Sequence, residues 1–368
     1  MVANSATYIL SDVGEPAPDS STLPPAPNAP PTSPDGEQGH SDAIWCAKWA
    51  RKAGGGEVVA TAGADHTIKL WDPQTPSVPI RTIRPRKALG VVGLDFDKSE
   101  HGASFLVSST LDSVITRWSL DGEEEGRKEL PAAASWDISL NPRLEQMATA
   151  GDKGKVTIMS SAKDNFGEVI STLEATGTFG TAIEYSKSGG LLAVASDKGY
   201  VSLFDSESGA LVTAFPAHAA PIRSISFTSN LLITGSDDKR INVFDLRALT
   251  ATSAGAGVTG GRRGQVASLG GHEGWVVKVE ARNDRLLASG SSDGTIKLWD
   301  LSAPSLALAT LRDHTADVWA IAWAPEPLIT AGNGNVIEGL GGAAAGLGGG
   351  RMCSAGEDGR LRWWRGGG

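Results

Sequence analysis

Three sets of side chains in this sequence combine an imidazole, a hydroxyl, a carboxylate and an indole in the same order: His40, Thr61, Asp65 and Trp71; His272, Ser289, Asp293 and Trp299; His314, Ser354, Asp358 and Trp364. A hydroxyl, a His and an Asp are the parts of a nucleophilic hydrolase, in which the imidazole takes the proton of an exposed hydroxyl and the carboxylate orients the ring. The same parts serve a second purpose. A neutral imidazole can link the carboxylate to the hydroxyl while the indole N–H donates to that hydroxyl, which closes a hydrogen-bonded chain inside a fold. A triad needs one exposed nucleophile, whereas here the set recurs, each time in the middle of a similar stretch of chain. The reading is structural, and no catalysis is expected.

The elements that carry these sets repeat along the chain. DHTIKLWD at 65–72 and DGTIKLWD at 293–300 are nearly identical, and weaker copies begin at Asp112, Asp152, Asp197, Asp238 and Asp358. The anchors Trp71, Trp118, Met159, Phe204, Phe244, Trp299 and Trp364 are spaced 47, 41, 45, 40, 55 and 65 residues apart. That is close to the period of about 40–45 residues of WD-repeat propeller blades. Alternating strands precede each Asp turn, such as VVATAG and LLITGS, and earlier ones such as PIRSISF and VWAIAWA precede those. With a short stretch after the anchor, such as LVTAFPA, each unit holds four antiparallel strands. The expected fold is all-β, a seven-bladed WD-repeat propeller. Blade 5 has His218, Thr234 and Asp238, but Phe244 has no N–H to donate, and blades 2 to 4 lack the His.

An open propeller would expose sheet edges, and the sequence stops just after the third strand of blade 7. Its fourth strand is expected from the β-prone run ATYILS at 6–11. The division is therefore 1–12 as a strand completing blade 7, 13–38 as a proline-rich insertion loop holding eight of the nineteen prolines, and 39–368 as the propeller. Flexible insertions rich in glycine and alanine are expected at 251–264 and 333–350, which explain the two long spacings.

Composition narrows the function. Thirty-three basic against 42 acidic residues give a formal charge of −9, so direct nucleic-acid binding, which depends on Lys and Arg, is not expected. No run approaches the roughly 18 apolar residues of a transmembrane helix, and the first twelve residues carry no Lys or Arg for a signal peptide. Neither a membrane nor a secretory route is expected. Cys46 and Cys353 stand far apart without metal or redox spacing and read as reduced core residues, which suits cytosol or nucleus. Gly255 to Gly260 matches GxGxxG, but no helix pattern or βαβ unit accompanies it. The six histidines are scattered. No metal or cofactor is expected.

The order of particular segments goes beyond a generic repeat. GHSDAIWCAKWA, LGVVGLDFD, SWDISLNP, and GYVSLFDSESGALVTAFPAHAAPIRSISF followed by LLITGSDDKRINVFD, resemble the small WD-repeat subunit of the superkiller (Ski) complex across all seven blades. The proline-rich and glycine-rich insertions depart from that pattern. The resemblance implies a non-catalytic scaffold holding a tetratricopeptide-repeat protein and an RNA helicase together, assisting the cytoplasmic exosome in 3′-to-5′ mRNA decay. It also implies nuclear roles, in meiotic DNA-break formation with a partner of that process or in transcription elongation. Cytoplasmic and nuclear localisation follow from it.

Partner-binding residues are expected on the face built from the loops that lead into each first strand and the turns before each third strand. Exposed aromatics with adjacent charge make binding anchors. Trp136, Phe179 and Trp275 lie at first-strand starts, with Trp45 and Trp319 slightly deeper. Arg223, Asp237, Asp317 and Glu357 supply charge on the same rim, the acids suiting a partner motif of arginine and apolar residues. An alternative reading, as substrate receptor of a cullin ubiquitin ligase, rests on Phe244-Asp245-Leu246-Arg247, which resembles the W-D-x-R element by which some propellers dock the ligase adaptor.

Overall fold

A computed structural model describes residues 8–14, 39–86, 89–251, 264–303, 306–326, 329–330, 336–337 and 350–366. Most of the proline-rich stretch, the GxGxxG match, and most of the insertions at 251–264 and 333–350 lie outside the described residues. Within the second insertion, Val336–Ile337 pairs with Ile329–Thr330, so that segment holds one short ladder where none was expected.

The chain forms seven four-stranded antiparallel sheets. Blade 1 comprises Ile44–Arg51, Glu57–Gly63, Ile68–Trp71 and Pro79–Ile83. Blades 2 to 6 follow the same order over 91–129, 137–174, 180–216, 222–270 and 276–311. Sequence pattern tracks position in the blade. Second strands such as Leu286–Ser291 are buried along their whole length and so read as near-continuous small and apolar runs. Fourth strands such as Val169–Glu174 line the outside and expose alternate or consecutive side chains. The first strands contact one another in succession round the ring, and the strand of blade 7 meets that of blade 1.

Burial is distributed to the junctions. Seven apolar clusters each combine residues of two adjacent blades, for example Leu70, Ile83, Leu94 and Phe96 between blades 1 and 2, and Ile44, Trp71, Ala320 and Trp363 between blades 1 and 7. No blade can bury its faces alone, which is why a closed ring forms. Side chains also join the first strands directly. The Asp95 carboxylate accepts from Leu140 N–H, Asp137 from Ile183 N–H, and Ser226 from Ala281 N–H. Strand edges that would otherwise bury orphan donors are thereby satisfied across blade boundaries.

Blade 7 is assembled from Ala320–Trp323, Arg351–Ala355, Leu361–Gly366 and, outermost, Tyr8–Gly14. The N-terminal strand runs antiparallel to Leu361–Gly366, from Tyr8 opposite Gly366 to Gly14 opposite Leu361, with a bulge between Leu10 and Asp12. It begins and ends two to three residues later than the run expected over 6–11. Among the described residues no helix is long and apolar enough to cross a membrane. The one α-helix there, Leu246–Thr250, is capped by the Asp245 side chain.

Candidate functional site: the upper face and the networks beneath it

The histidine sets are closed chains. His40 Nδ1 lies 2.8 Å from Asp65 Oδ2 and Nε2 2.7 Å from Thr61 Oγ1, and the Trp71 indole donates to the same hydroxyl at 2.7 Å. In blade 6 the corresponding distances are 3.0, 2.7 and 2.8 Å, and in blade 7 they are 3.0, 2.8 and 2.8 Å. His218 bridges Asp238 and Thr234 in the same way at 2.9 and 2.8 Å, with Phe244 in the indole position. The Thr61, Ser289 and Ser354 hydroxyls belong to residues 0% exposed, so no substrate carbonyl can reach a nucleophile there.

Blade 2, which lacks the His, keeps the indole bond of the set, Trp118 donating to the Ser108 hydroxyl at 2.9 Å, and in blade 3 the Ser135 hydroxyl meets the strand hydroxyl of Thr149 at 2.6 Å. The sequence reading missed one member of blade 7, Arg362, whose buried guanidinium donates to Asp358 at 2.7 Å and lies 2.7 Å from His314 Nδ1. Its signal was available: Lys69, Asn242 and Lys297 occupy the same position opposite the strand hydroxyl in blades 1, 5 and 6.

These networks carry a pH dependence. Burial, opposed by the bond to Asp65, holds His40 below its usual 6.5, and burial opposed by Asp358 does the same for His314. Burial would raise the Asp65 carboxyl, but its hydrogen bond with His40 and those from Thr67 prevail and hold it near 2. Asp238, Asp293 and Asp358 are likewise depressed against their own burial, chiefly by His218, His272 and His314. Every one of these folded-state pKa values lies below its unfolded value, so each contribution is complete above the unfolded pKa and is lost on acidification. The melting temperature should be level from pH 8 to about 7, decline as pH falls below the ordinary histidine value of 6.5, and decline again below the ordinary aspartate value of 3.8. Thermal melts across that range check it; a rise between pH 7 and 5 would contradict it.

The networks fix the turns that form the upper face, where each first strand begins. Trp136 and Trp275 are 39% and 48% exposed, and Phe179 is partly exposed. Trp136 and Phe179 meet edge to face, ring centroids 5.6 Å apart, across blades 3 and 4. Trp275 hangs its backbone N–H on Ser292 and receives the Arg223 guanidinium 5.8 Å from its ring centroid. Trp45 and Trp319 are half-buried. Trp45 lies over Gly90 of blade 2, whose φ of +110° and lack of a side chain both matter: a Cβ there would stand 2.8 Å from the indole. Beside it Leu89, 62% exposed, is an apolar rim residue the sequence reading did not single out; it lies one residue before the position held by Phe179 and Trp275 in their blades, which in blade 2 is Gly90.

The charges divide differently from expectation. Asp237 is engaged by Arg223 through two hydrogen bonds of 2.8 and 2.6 Å, and this pairing holds the Arg223 guanidinium above its usual range. Asp237 is thus paired within the protein, where the reading above took it as an unpaired acid on the rim. Asp317 and Glu357 have no ion-pair partner among the described residues. Burial, and after it the neighbouring Glu357 and Asp293 charges, raise the Asp317 carboxyl. An incoming cation would relieve that repulsion. Cys46 and Cys353 are both free thiols, Cys46 only partly buried, and burial raises both. No group of three or more metal-ligating side chains occurs among the described residues.

Comparison with known proteins agrees with this architecture. The WD domain, G-beta repeat, matches residues 34–72, and the propeller model named Nucleolar protein 10-like, N-terminal domain, matches residues 175–331. The chain belongs to the WD-repeat propellers, a family of interaction scaffolds that are generally not catalysts. It is 28% identical to WD repeat-containing protein SL1-17 of Schistosoma mansoni over 57% of this chain and 69% of that protein. It is 28% identical to the meiotic recombination protein rec14 of Schizosaccharomyces pombe over 50% of this chain and 62% of that protein. To DDB1- and CUL4-associated factor 10 of Xenopus tropicalis it is 32% identical over 40% of this chain and 33% of that protein. The matches therefore span from a third to about two thirds of these relatives' lengths.

Proposed function

We propose that this protein is a non-catalytic scaffold subunit of a Ski-type complex, in which its upper face holds segments of a tetratricopeptide-repeat protein and positions an RNA helicase for exosome-assisted mRNA decay. None of the three relatives named above is a Ski subunit by name, so the particular complex rests on the sequence resemblance. The observation that carries the binding reading is the upper rim itself, where Trp136, Trp275 and Leu89 are exposed, Phe179 is partly exposed, and the Asp317–Glu357 pair offers uncompensated negative charge. A partner segment with an arginine and apolar side chains would bury the former and neutralise the latter. Similarity to a meiotic recombination protein supports a second, nuclear engagement of the same face with a meiotic DNA-break protein. Cytoplasmic and nuclear pools are both part of the proposal.

A specific feature favours a second reading as a cullin-ligase substrate receptor. Arg247 of the Phe244–Arg247 element is 81% exposed in its side chain, and one relative carries a CUL4-associated name. Affinity capture of the tagged protein from native extract, read by mass spectrometry, separates the two. Recovery of a tetratricopeptide-repeat protein with an RNA helicase is expected. Recovery of a ligase adaptor without a helicase would replace the scaffold reading by the receptor reading.

A further inference from the structure

We propose a second docking site on the opposite, lower face: a groove at the seam of blades 7 and 1 that takes an extended acidic segment of a partner protein carrying an apolar side chain. Two adjoining cavities of about 190 and 290 Å³ meet there at Gln74. The first has apolar walls, formed by Trp49, Trp363 and the turn prolines Pro73 and Pro76. Trp49 and Trp363 hold each other edge to face at 5.5 Å, and Arg351 lies 5.5 Å from the Trp49 ring centroid. These walls are set before any partner arrives, which lowers the ordering cost of binding.

The charge of the groove runs against that of the molecule. Arg351, Arg365, Arg51 and Lys52 line it against only two carboxylates, Glu57 and Asp72. Glu57 is already engaged, by Arg351 at 2.7 Å and by the Trp49 indole at 3.3 Å. Asp72 accepts from Gln74 N–H within its own turn. The Arg51 guanidinium donates to the Glu326 carbonyl at 2.7 Å, while the Glu326 carboxylate turns to Asn283. Arg51, Lys52 and Arg365 have no ion-pair partner among the described residues. On a chain of formal charge −9, this leaves a local positive surplus flanking an aromatic pocket. Carboxylates on either side of one apolar residue would meet cations at both ends and Trp49 and the prolines between. Four cations are few for a nucleic-acid backbone, whose affinity grows with each phosphate neutralised.

The test uses the full chain and a random dodecapeptide phage library, counter-selected against the variant Lys52→Glu with Arg365→Glu. Enrichment of sequences with two or more carboxylates flanking Trp, Leu or Pro is expected. A synthetic peptide of the enriched sequence should bind the variant about tenfold more weakly or worse, and weaken with salt. The neutral pair Lys52→Ala with Arg365→Ala should fall between, with an unchanged melting temperature. Binding should persist in Trp275→Ala with Phe179→Ala, which separates this groove from the upper face. No acidic enrichment, equal binding to the charge-reversed variant, or displacement of the peptide by oligouridylate at physiological salt would overturn the proposal.

Discussion

Trp275→Ala combined with Phe179→Ala should abolish capture of the proposed tetratricopeptide-repeat partner while leaving the propeller folded. Central aromatic anchors cost about 2–4 kcal/mol each on truncation, so losing two weakens binding by roughly a thousandfold or more. The effect on stability is small for a structural reason. Trp275 is about half exposed and leans on Arg223, whose bidentate bond to Asp237 survives without it. Phe179 contacts Trp136 on the surface, and its backbone is held by Asp197, which accepts its N–H at 2.9 Å. Isothermal titration against the partner, with a thermal melt as control, measures both quantities. Asp317→Asn with Glu357→Gln should weaken binding further if the partner presents an arginine. Full capture by the aromatic double variant would mean that the partner uses another face.

Deleting residues 1–14 should destabilise the ring more than any surface substitution. The strand Tyr8–Gly14 supplies the whole outer ladder of blade 7, and it is the only described strand of that blade that comes from the other end of the chain. Without it, blades 1 and 7 stay joined through the apolar cluster around Trp71, Ala320 and Trp363 and through the Ile44 N–H bond to Gly356. The Leu361–Gly366 edge would also open to solvent and to other chains. Loss of several ladder bonds at about 1 kcal/mol each predicts a melting temperature lower by roughly 5 °C or more, with concentration-dependent aggregation on heating. Adding the deleted segment back as a synthetic peptide should restore part of the loss. A melting curve that does not move would show that the seam of blades 1 and 7 holds without the strand.

The sequence by itself determined what depends on local pattern and repetition. Buried strands have to be apolar on both sides, turns need residues such as Asp and Gly, and a network needs its donors and acceptors at fixed offsets, so VVATAG, DGTIKLWD and the His, hydroxyl, Asp and Trp sets could be read from the chain directly. The pattern faded where burial does. The fourth strand of blade 2, Glu124–Glu129, is EEGRKE, with no apolar residue; it is held instead by Arg117 on Glu125 at 2.9 Å and by Phe166 packing over Gly126. The pairing of the Ser135 and Thr149 hydroxyls in blade 3, where no imidazole is present, and the entry of Arg362 into the blade 7 network involve atoms that only the folded blade brings together. Tertiary structure alone decided the surfaces. Whether Asp237 is a free acid depends on Arg223 lying 14 positions earlier on the same blade, and whether Arg51 and Arg365 share a groove depends on the ring bringing its first and last blades together. Charge and exposure belong to the assembled surface, and a one-dimensional pattern specifies them only after the ring has closed.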